Sequence, residues 1–232
     1  MIKLIASDID GTLVENSTAV LHPEMFDLIR KLKQKGILFC AASGRQYQSI
    51  ANMFEPVKDD IIFLAENGAH IRYQGNDIAL VEMKREHIEE IVHTIRRENT
   101  DGDYIVSTND GSIMDTKNQE FIDLITYGYR NKFRLVEDVL AEDVPIIKVA
   151  AFQKGSIREL GESILIPAFS DKVKATMAGE EWVDYMDASV DKGDALKSIQ
   201  EYFHIKKEET IAFGDNSNDI GLLKAAGMCF AV

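Results

Sequence analysis

Short apolar runs recur along the chain, first "IKLIAS", then "GILFCAAS", "DIIFLAE", "ETIAFG" and "GMCFAV". Each is of strand length and continuous rather than alternating, the pattern of strands buried on both faces. Between the first two, Phe26, Ile29 and Leu32 repeat at helical spacing. Pro23 stands where a first helical turn tolerates it, and Gly36 where a helix ends. Two later segments have the same period: "GDALKSIQEYF" sets Leu196, Ile199 and Phe203 on one face, and "NDIGLLKAAG" does so with Leu222, Leu223 and Ala226. Strands alternating with helices predict an α/β fold, a doubly wound parallel sheet covered on both sides.

The middle of the chain has a different rhythm. "AHIRYQGNDIALVE" reads as a hairpin turning at Gly75 and Asn76, and "DYIVSTNDGSIMD" as another turning at Asp110 and Gly111. Between them, Ile88, Ile91, Val92 and Ile95 form an i, i+3, i+4, i+7 stripe. Residues 82–187 are therefore expected to form an inserted α+β domain, and residues 1–81 with 188–232 the parallel core. Tyr104, Asn109, Tyr127, Tyr129 and Arg130 are polar or aromatic candidates for a cleft, although aromatics at those spacings fit the insert's own core better.

Composition narrows the partners. With 232 residues, 45% hydrophobic and 28% charged, the chain is an ordinary globular sequence, long enough for a main domain and a smaller one. A formal net charge of −13 repels nucleic acid and anionic lipid, so neither is an expected partner. Cys40 and Cys229 each lie in an apolar run and read as buried core residues in a reducing compartment. The start "MIKLIASDIDG" holds no signal-peptide run, which places the protein in the cytoplasm, as a monomer or homodimer.

In an open parallel sheet, ligands bind beyond the carboxyl ends of the strands. The residues found there are Asp8 and Asp10 after the first run, and Ser43, Gly44 and Arg45 after the second. Glu66, Asn67 and Gly68 follow the third, and "GDNSND" the fourth, while Lys192 precedes a helix. Singly, most of these are turn and cap residues. Two carboxylates ending a buried strand are different, because their burial is costly unless a cation compensates. Asp8, Asp215 and Asp219 supply hard oxygen ligands without histidine or thiolate, a set suited to Mg²⁺. With Lys192 as a second point charge and Ser43 as a hydroxyl donor, such a site could hold a phosphoryl group. Asp8 is then a workable nucleophile toward phosphorus. Asp10, on the same side of an extended strand end, is a workable acid and base. No G-x-S-x-G elbow, G-x-x-x-x-G-K-[ST] phosphate loop or dinucleotide fingerprint is present, and "DIDG" lacks the ligand spacing of a calcium hand.

"DIDGTL", "AASGR", "DKGDAL" and "GDNSNDIGLL", in that order, resemble the four motifs of the haloacid dehalogenase superfamily. The hairpin after "AENGA" and the place of the insert resemble its Cof-type branch with a type IIB cap. That resemblance implies a Mg²⁺-dependent phosphatase of sugar phosphates and related small phosphorylated metabolites. Asp8 would be nucleophile and metal ligand, and Asp10 general acid and base with a metal-binding carbonyl. Ser43 and Lys192 would bind the phosphoryl group, Asp215 would bind Mg²⁺ with Asp219 beside it, and Asn218 would lie near the phosphate. Gly44, Arg45 and Asn67 would contact substrate at the edge. Relatives usually carry threonine where Ser43 stands, and continue through a further loop, strand and helix after "GMCFAV", so an altered sheet edge is expected here. A phosphomutase on the same core and a receiver-like module storing a phosphoaspartate are the alternatives. Asp10 and the insert weigh against the second.

Overall fold

The computed structural model describes residues 1–14 and 20–232. The chain divides into two compact units, Met1–Leu80 with Val190–Val232, and Val81–Ser189.

The first unit is built on a seven-stranded sheet of order β13-β12-β1-β2-β3-β4-β5. Its chain runs β1 (Leu4–Asp8), α1 (Pro23–Gln34), β2 (Leu38–Ala42), α2 (Tyr47–Met53), β3 (Ile62–Ala65), β4 (His70–Tyr73) and β5 (Asn76–Leu80). Strands β13, β12, β1, β2 and β3 are mutually parallel, whereas β4 and β5 are antiparallel additions at one edge. Strand alternation sends Leu4, Ala6, Cys40, Ala42, Ile62 and Leu64 to one side and Phe39, Ala41, Phe63 and Ala65 to the other, and helices pack on both. Helix α1 starts at Pro23 and ends as the sequence indicates. Gly36, at φ +72°, donates to the Lys33 carbonyl, and the Ile37 amide reaches back to Leu32.

The second unit holds α3 (Arg85–Glu98), β6 (Asp103–Thr108), β7 (Gly111–Met114), α4 (Gln119–Asp123), β8 (Phe133–Leu135), β9 (Ile146–Phe152), α5 (Arg158–Leu160), β10 (Val173–Met177) and β11 (Trp182–Asp187). Its six-stranded sheet has the order β10-β11-β9-β6-β7-β8, antiparallel except for the β7–β8 pair. One face buries Val106, Ile113, Val149, Val183 and Tyr185 against the α3 stripe of Ile88, Ile91, Val92 and Ile95. Part of the opposite face packs Ile105, Ala150 and Phe152 against Phe121 and Ile125. The chain then returns to the first unit through α6 (Lys192–Tyr202), β12 (Thr210–Gly214), α7 (Ile220–Ala225) and β13 (Met228–Ala231).

Three local expectations are corrected. The first hairpin turns on Gln74 and Gly75, at φ +50° and +78°, and Asn76 already belongs to β5. Two successive left-handed residues make the primed turn that matches strand twist. The second turns on Asn109 and Asp110, with Gly111 opening β7. Cys229 is exposed, unlike the buried Cys40, because β13 is an edge strand whose Met228, Cys229, Phe230 and Ala231 are all exposed. Tyr104 lies in the second unit's core, its hydroxyl bonded to Asp115 at 2.7 Å and accepting from Arg96 at 3.0 Å. Tyr127 is exposed.

Candidate active site

Asp8 is the last residue of β1 and is 5% exposed. Its Oδ1 accepts from the Lys192 Nζ at 2.7 Å, while its Oδ2 is buried with no hydrogen-bond partner. Lys192, 1% exposed, occupies the first turn of α6, where the helix dipole disfavours a cation. Two carboxylates hold it there, since Nζ also donates to Asp219 Oδ1 at 2.6 Å. Burial pushes the Asp8 carboxyl up to about 6, against the downward pull of Lys192 and with an upward push from Asp219.

The loop after β12 supplies the other carboxylates. Asp219 Oδ2 accepts from the backbone amides of Asp215 and Asn216, each at 3.2 Å, so Asp219 shapes the loop with one oxygen and grips Lys192 with the other. Asp215 remains exposed. Asp8, Asp215 and Asp219 each present an oxygen within 4.8 Å of the others'. Three carboxylates against one ammonium leave a local charge of about −2, which a divalent cation would cancel. The orphaned Asp8 oxygen and the all-oxygen donor set fit such a cation.

The turn after β1 is shaped around the same loop. Extended pairing of β1 ends at Asp8, and Asp10 forms a one-residue bridge with Val14 instead of prolonging the strand. Gly11, at φ +93°, donates its amide to the Val14 carbonyl at 2.9 Å. A Cβ at residue 11 would fall 2.1 Å from Asp215 Oδ2, so glycine is required by both conformation and space. The Thr12 hydroxyl lies 3.5 Å from Asp215 Oδ1. The Asp10 carboxylate receives a two-point grip from Arg45, with Nε to Oδ2 at 2.9 Å and Nη2 to Oδ1 at 2.5 Å.

Beyond β2, the amide of the buried Ser43 donates to the Leu64 carbonyl. Its hydroxyl accepts from the Arg45 amide at 3.1 Å, and its carbonyl accepts from the Asn67 amide. Asn67, left-handed at φ +57°, accepts at its side-chain oxygen from Asn218 Nδ2 at 3.1 Å. Gly44 lies against the same Asn67 amide group, where a Cβ would come within 3.1 Å. The residues named from the strand ends thus form two adjoining groups in the first unit: Asp8, Lys192, Asp215 and Asp219 around the charges, and Asp10 with Arg45, and Ser43 with Gly44, Asn67 and Asn218, around them.

Sequence reasoning gave Asp191 no role of its own. Asp191 caps α6, its Oδ1 accepting from the amides of Gly193 at 2.7 Å and Asp194 at 3.3 Å, and so fixes the turn that carries Lys192. An aspartate directly before a helical run is a cap signal that could have found it.

The comparisons with known proteins point the same way. The chain is 25% identical over 233 residues to the 5-amino-6-(5-phospho-D-ribitylamino)uracil phosphatase YbjI of Escherichia coli, covering 100% of this chain and 85% of that protein. It is 24% identical to YitU of Bacillus subtilis, which carries the same description, covering 97% and 84%. A crystal structure from Eubacterium rectale superposes with a TM-score of 0.89 at 33% identity, covering 100% of this chain and 88% of the other. The subclass IIB sugar phosphatase BT4131 shares the fold, with a TM-score of 0.80 at 23% identity over 99% and 86%. Residues 5–232 match the model of the haloacid dehalogenase-like hydrolases, and the chain therefore belongs to that family.

Proposed function

We propose that this hydrolase is a Mg²⁺-dependent phosphomonoesterase of small phosphorylated metabolites, sugar phosphates foremost, acting in the cytoplasm through an aspartyl phosphate. The observation that carries this reading is the Asp8 carboxylate. It is buried, oriented by Lys192 through one oxygen and left with the other oxygen unbonded, as a nucleophile must be. The phosphatase descriptions of YbjI and YitU support it.

Asp8 and Asp215, with Asp219 beside them and the Asp10 carbonyl, would hold the Mg²⁺, which when bound supplies positive charge to a transferring phosphoryl group. The remaining chemistry belongs to the chain. Lys192 and Ser43 bind phosphoryl oxygens, with Asn218 near them and Gly44, Arg45 and Asn67 at the edge. Asp8 Oδ2 attacks phosphorus. A new P–O bond forms as the bond to the alcohol oxygen breaks, and Asp10 passes that oxygen a proton. Water then attacks the phosphorus of the aspartyl phosphate, Asp10 takes its proton, and inorganic phosphate departs with Asp8 restored. Arg45 occupies both oxygens of Asp10 in the free protein, so an arriving phosphoryl dianion competes for the guanidinium and releases Asp10 for this duty. The resemblance to the Cof-type branch would make the inserted Val81–Ser189 unit its type IIB cap.

The test is inorganic phosphate release from a panel of sugar and nucleotide monophosphates, with Mg²⁺ and with a chelator. Metal-dependent release supports the reading. Rearranged ester without free phosphate would identify a mutase instead, and a long-lived phosphoprotein without turnover a signalling module.

A further inference from the structure

The turn after β3 leaves ordinary backbone conformation at three successive residues. Glu66, Asn67 and Gly68 stand at φ +49°, +57° and +108°. Residues with a Cβ enter this left-handed region at a cost, and stay there only where their surroundings fix them. The surroundings here are the neighbouring loops of the site. The Glu66 amide donates to the Arg45 carbonyl and the Asn67 amide to the Ser43 carbonyl, each at 3.0 Å. Gly68 backs onto the start of α6, where a Cβ would fall 2.7 Å from the carbonyl oxygen of Asp191, the residue before Lys192. The turn thus abuts the loop after β2 and the start of α6, and the Asn67 side chain reaches the loop after β12.

In that loop the backbone is already held, because Asp219 Oδ2 accepts from the amides of Asp215 and Asn216. What remains to be fixed is the side chain of Asn218, which is exposed. An exposed amide group samples several rotamers unless a partner selects one. Asn67 is such a partner, its Oδ1 accepting from Asn218 Nδ2 at 3.1 Å across 151 positions of sequence. Asn67 is itself confined, by its backbone bond to Ser43 and by Gly44 on its flank. A Cβ at residue 44 would lie 3.1, 3.2 and 3.4 Å from the Oδ1, Nδ2 and Cγ of Asn67. A confined side chain thereby orients an exposed one.

We infer that Asn67 is a positioning residue that acts on the phosphoryl group through Asn218, an inference that rests on the phosphatase reading above. Phosphoryl oxygens accept hydrogen bonds, and Asn67 Oδ1 can only accept as well. The atom that meets Asn218 is therefore suited to orienting a donor, not to holding the substrate itself. Asn218 Nδ2 carries two hydrogens, so its bond to Asn67 leaves the second for a phosphoryl oxygen. A donor whose rotamer is already chosen gives up little freedom when substrate arrives, and more of its bond is then realised in binding and in the transition state.

The test is a double-mutant cycle on kcat/KM for the best ester of the panel, with Mg²⁺ and well below the melting temperature of every variant. Asn67→Gly removes the amide group while keeping a residue that adopts φ +57° without strain, so the turn is preserved. Asn218→Ala is expected to lower kcat/KM about 10- to 100-fold, the worth of a hydrogen bond to a charged group. Asn67→Gly is expected to lower it about 3- to 10-fold, the worth of ordering one side chain. With both changes the value should stay within about twofold of Asn218→Ala alone, since no side chain is left to orient. Reductions that multiply would show Asn67 acting independently of Asn218, by direct contact or through the fold at large, and overturn the inference. Full activity in Asn67→Gly overturns it too, and both results leave the phosphatase standing. A wild type that releases phosphate from no monoester overturns the phosphatase reading, and this inference with it.

Discussion

Arg45 holds Asp10 through both carboxylate oxygens, at 2.9 and 2.5 Å, in a part-buried fork. The two residues lie 35 positions apart, on turns that follow neighbouring parallel strands. The residue suited to acid and base work is thus oriented by a residue suited to bind the substrate's phosphoryl group, and one arrival can change both.

Replacing Asp10 by Asn should slow turnover by roughly 10²- to 10⁴-fold, the usual contribution of a positioned acid and base. Arg45→Lys keeps the charge but loses the two-point geometry, and turnover is expected to fall by about 10-fold with the melting temperature little changed. Steady-state kinetics on the best ester of the panel decide both, and full activity in Asp10→Asn would remove the residue from the mechanism.

Asp8→Asn matches the native volume and keeps Lys192 partnered through Asp219, so the fold should survive, with stability altered by no more than about 2 kcal/mol. The nucleophile is gone, and phosphate release should drop to background. Thermal melting and a phosphate assay on the same sample separate loss of chemistry from loss of fold.

Magnesium binding to the folded chain should raise its melting temperature over a chelated sample. At 100 times Kd the stabilisation is about 2.7 kcal/mol, a rise of roughly 5–10 °C for a chain of this size. Asp215→Asn removes the most exposed of the three clustered carboxylates, and the rise should disappear. A variant that still responds to Mg²⁺ would place the cation elsewhere.

His70 is buried, and burial lowers its pKa from 6.5 despite Asp77 Oδ1 lying 2.7 Å from Nε2. Arg72, 2.8 Å from the same carboxylate oxygen, also pulls the imidazole down. Below about pH 6.5 the unfolded chain therefore takes up the proton first, and stability is lost as pH falls through that range. His70→Gln should make the decline of melting temperature between pH 7 and pH 5 shallower. An unchanged slope would show that the imidazole does not contribute.

Much of the fold was legible in the sequence because strands buried on both faces must be continuous apolar runs. Those of β1, β2, β3 and β12 came with polar residues immediately after them. The α3 stripe and the Pro23 and Gly36 boundaries of α1 were equally plain, since each follows from local spacing and backbone preference. Cys229 was misread for the opposite reason: an apolar run indicates a strand but does not say whether anything covers it. The first hairpin turn was displaced by one residue because Gln74 adopts a left-handed conformation that its identity does not announce.

The sequence by itself determined which chemistry is present: carboxylates without thiolate or imidazole, one lysine before a helix, and a serine at a strand end. Those are properties of residue types and of distances along the chain. Only the tertiary structure decided the pairings. Lys192 is shared between Asp8 and Asp219, 184 and 27 positions away, Arg45 is committed to Asp10, and Asp8 keeps one oxygen unbonded. The pairing of Ser107 with Lys148 exists only through strand register, which no single strand encodes. Parallel strands bring their carboxyl ends to one edge, so residues far apart in sequence meet there. Which of them bond is settled by packing and by the cost of leaving a buried charge unpaired.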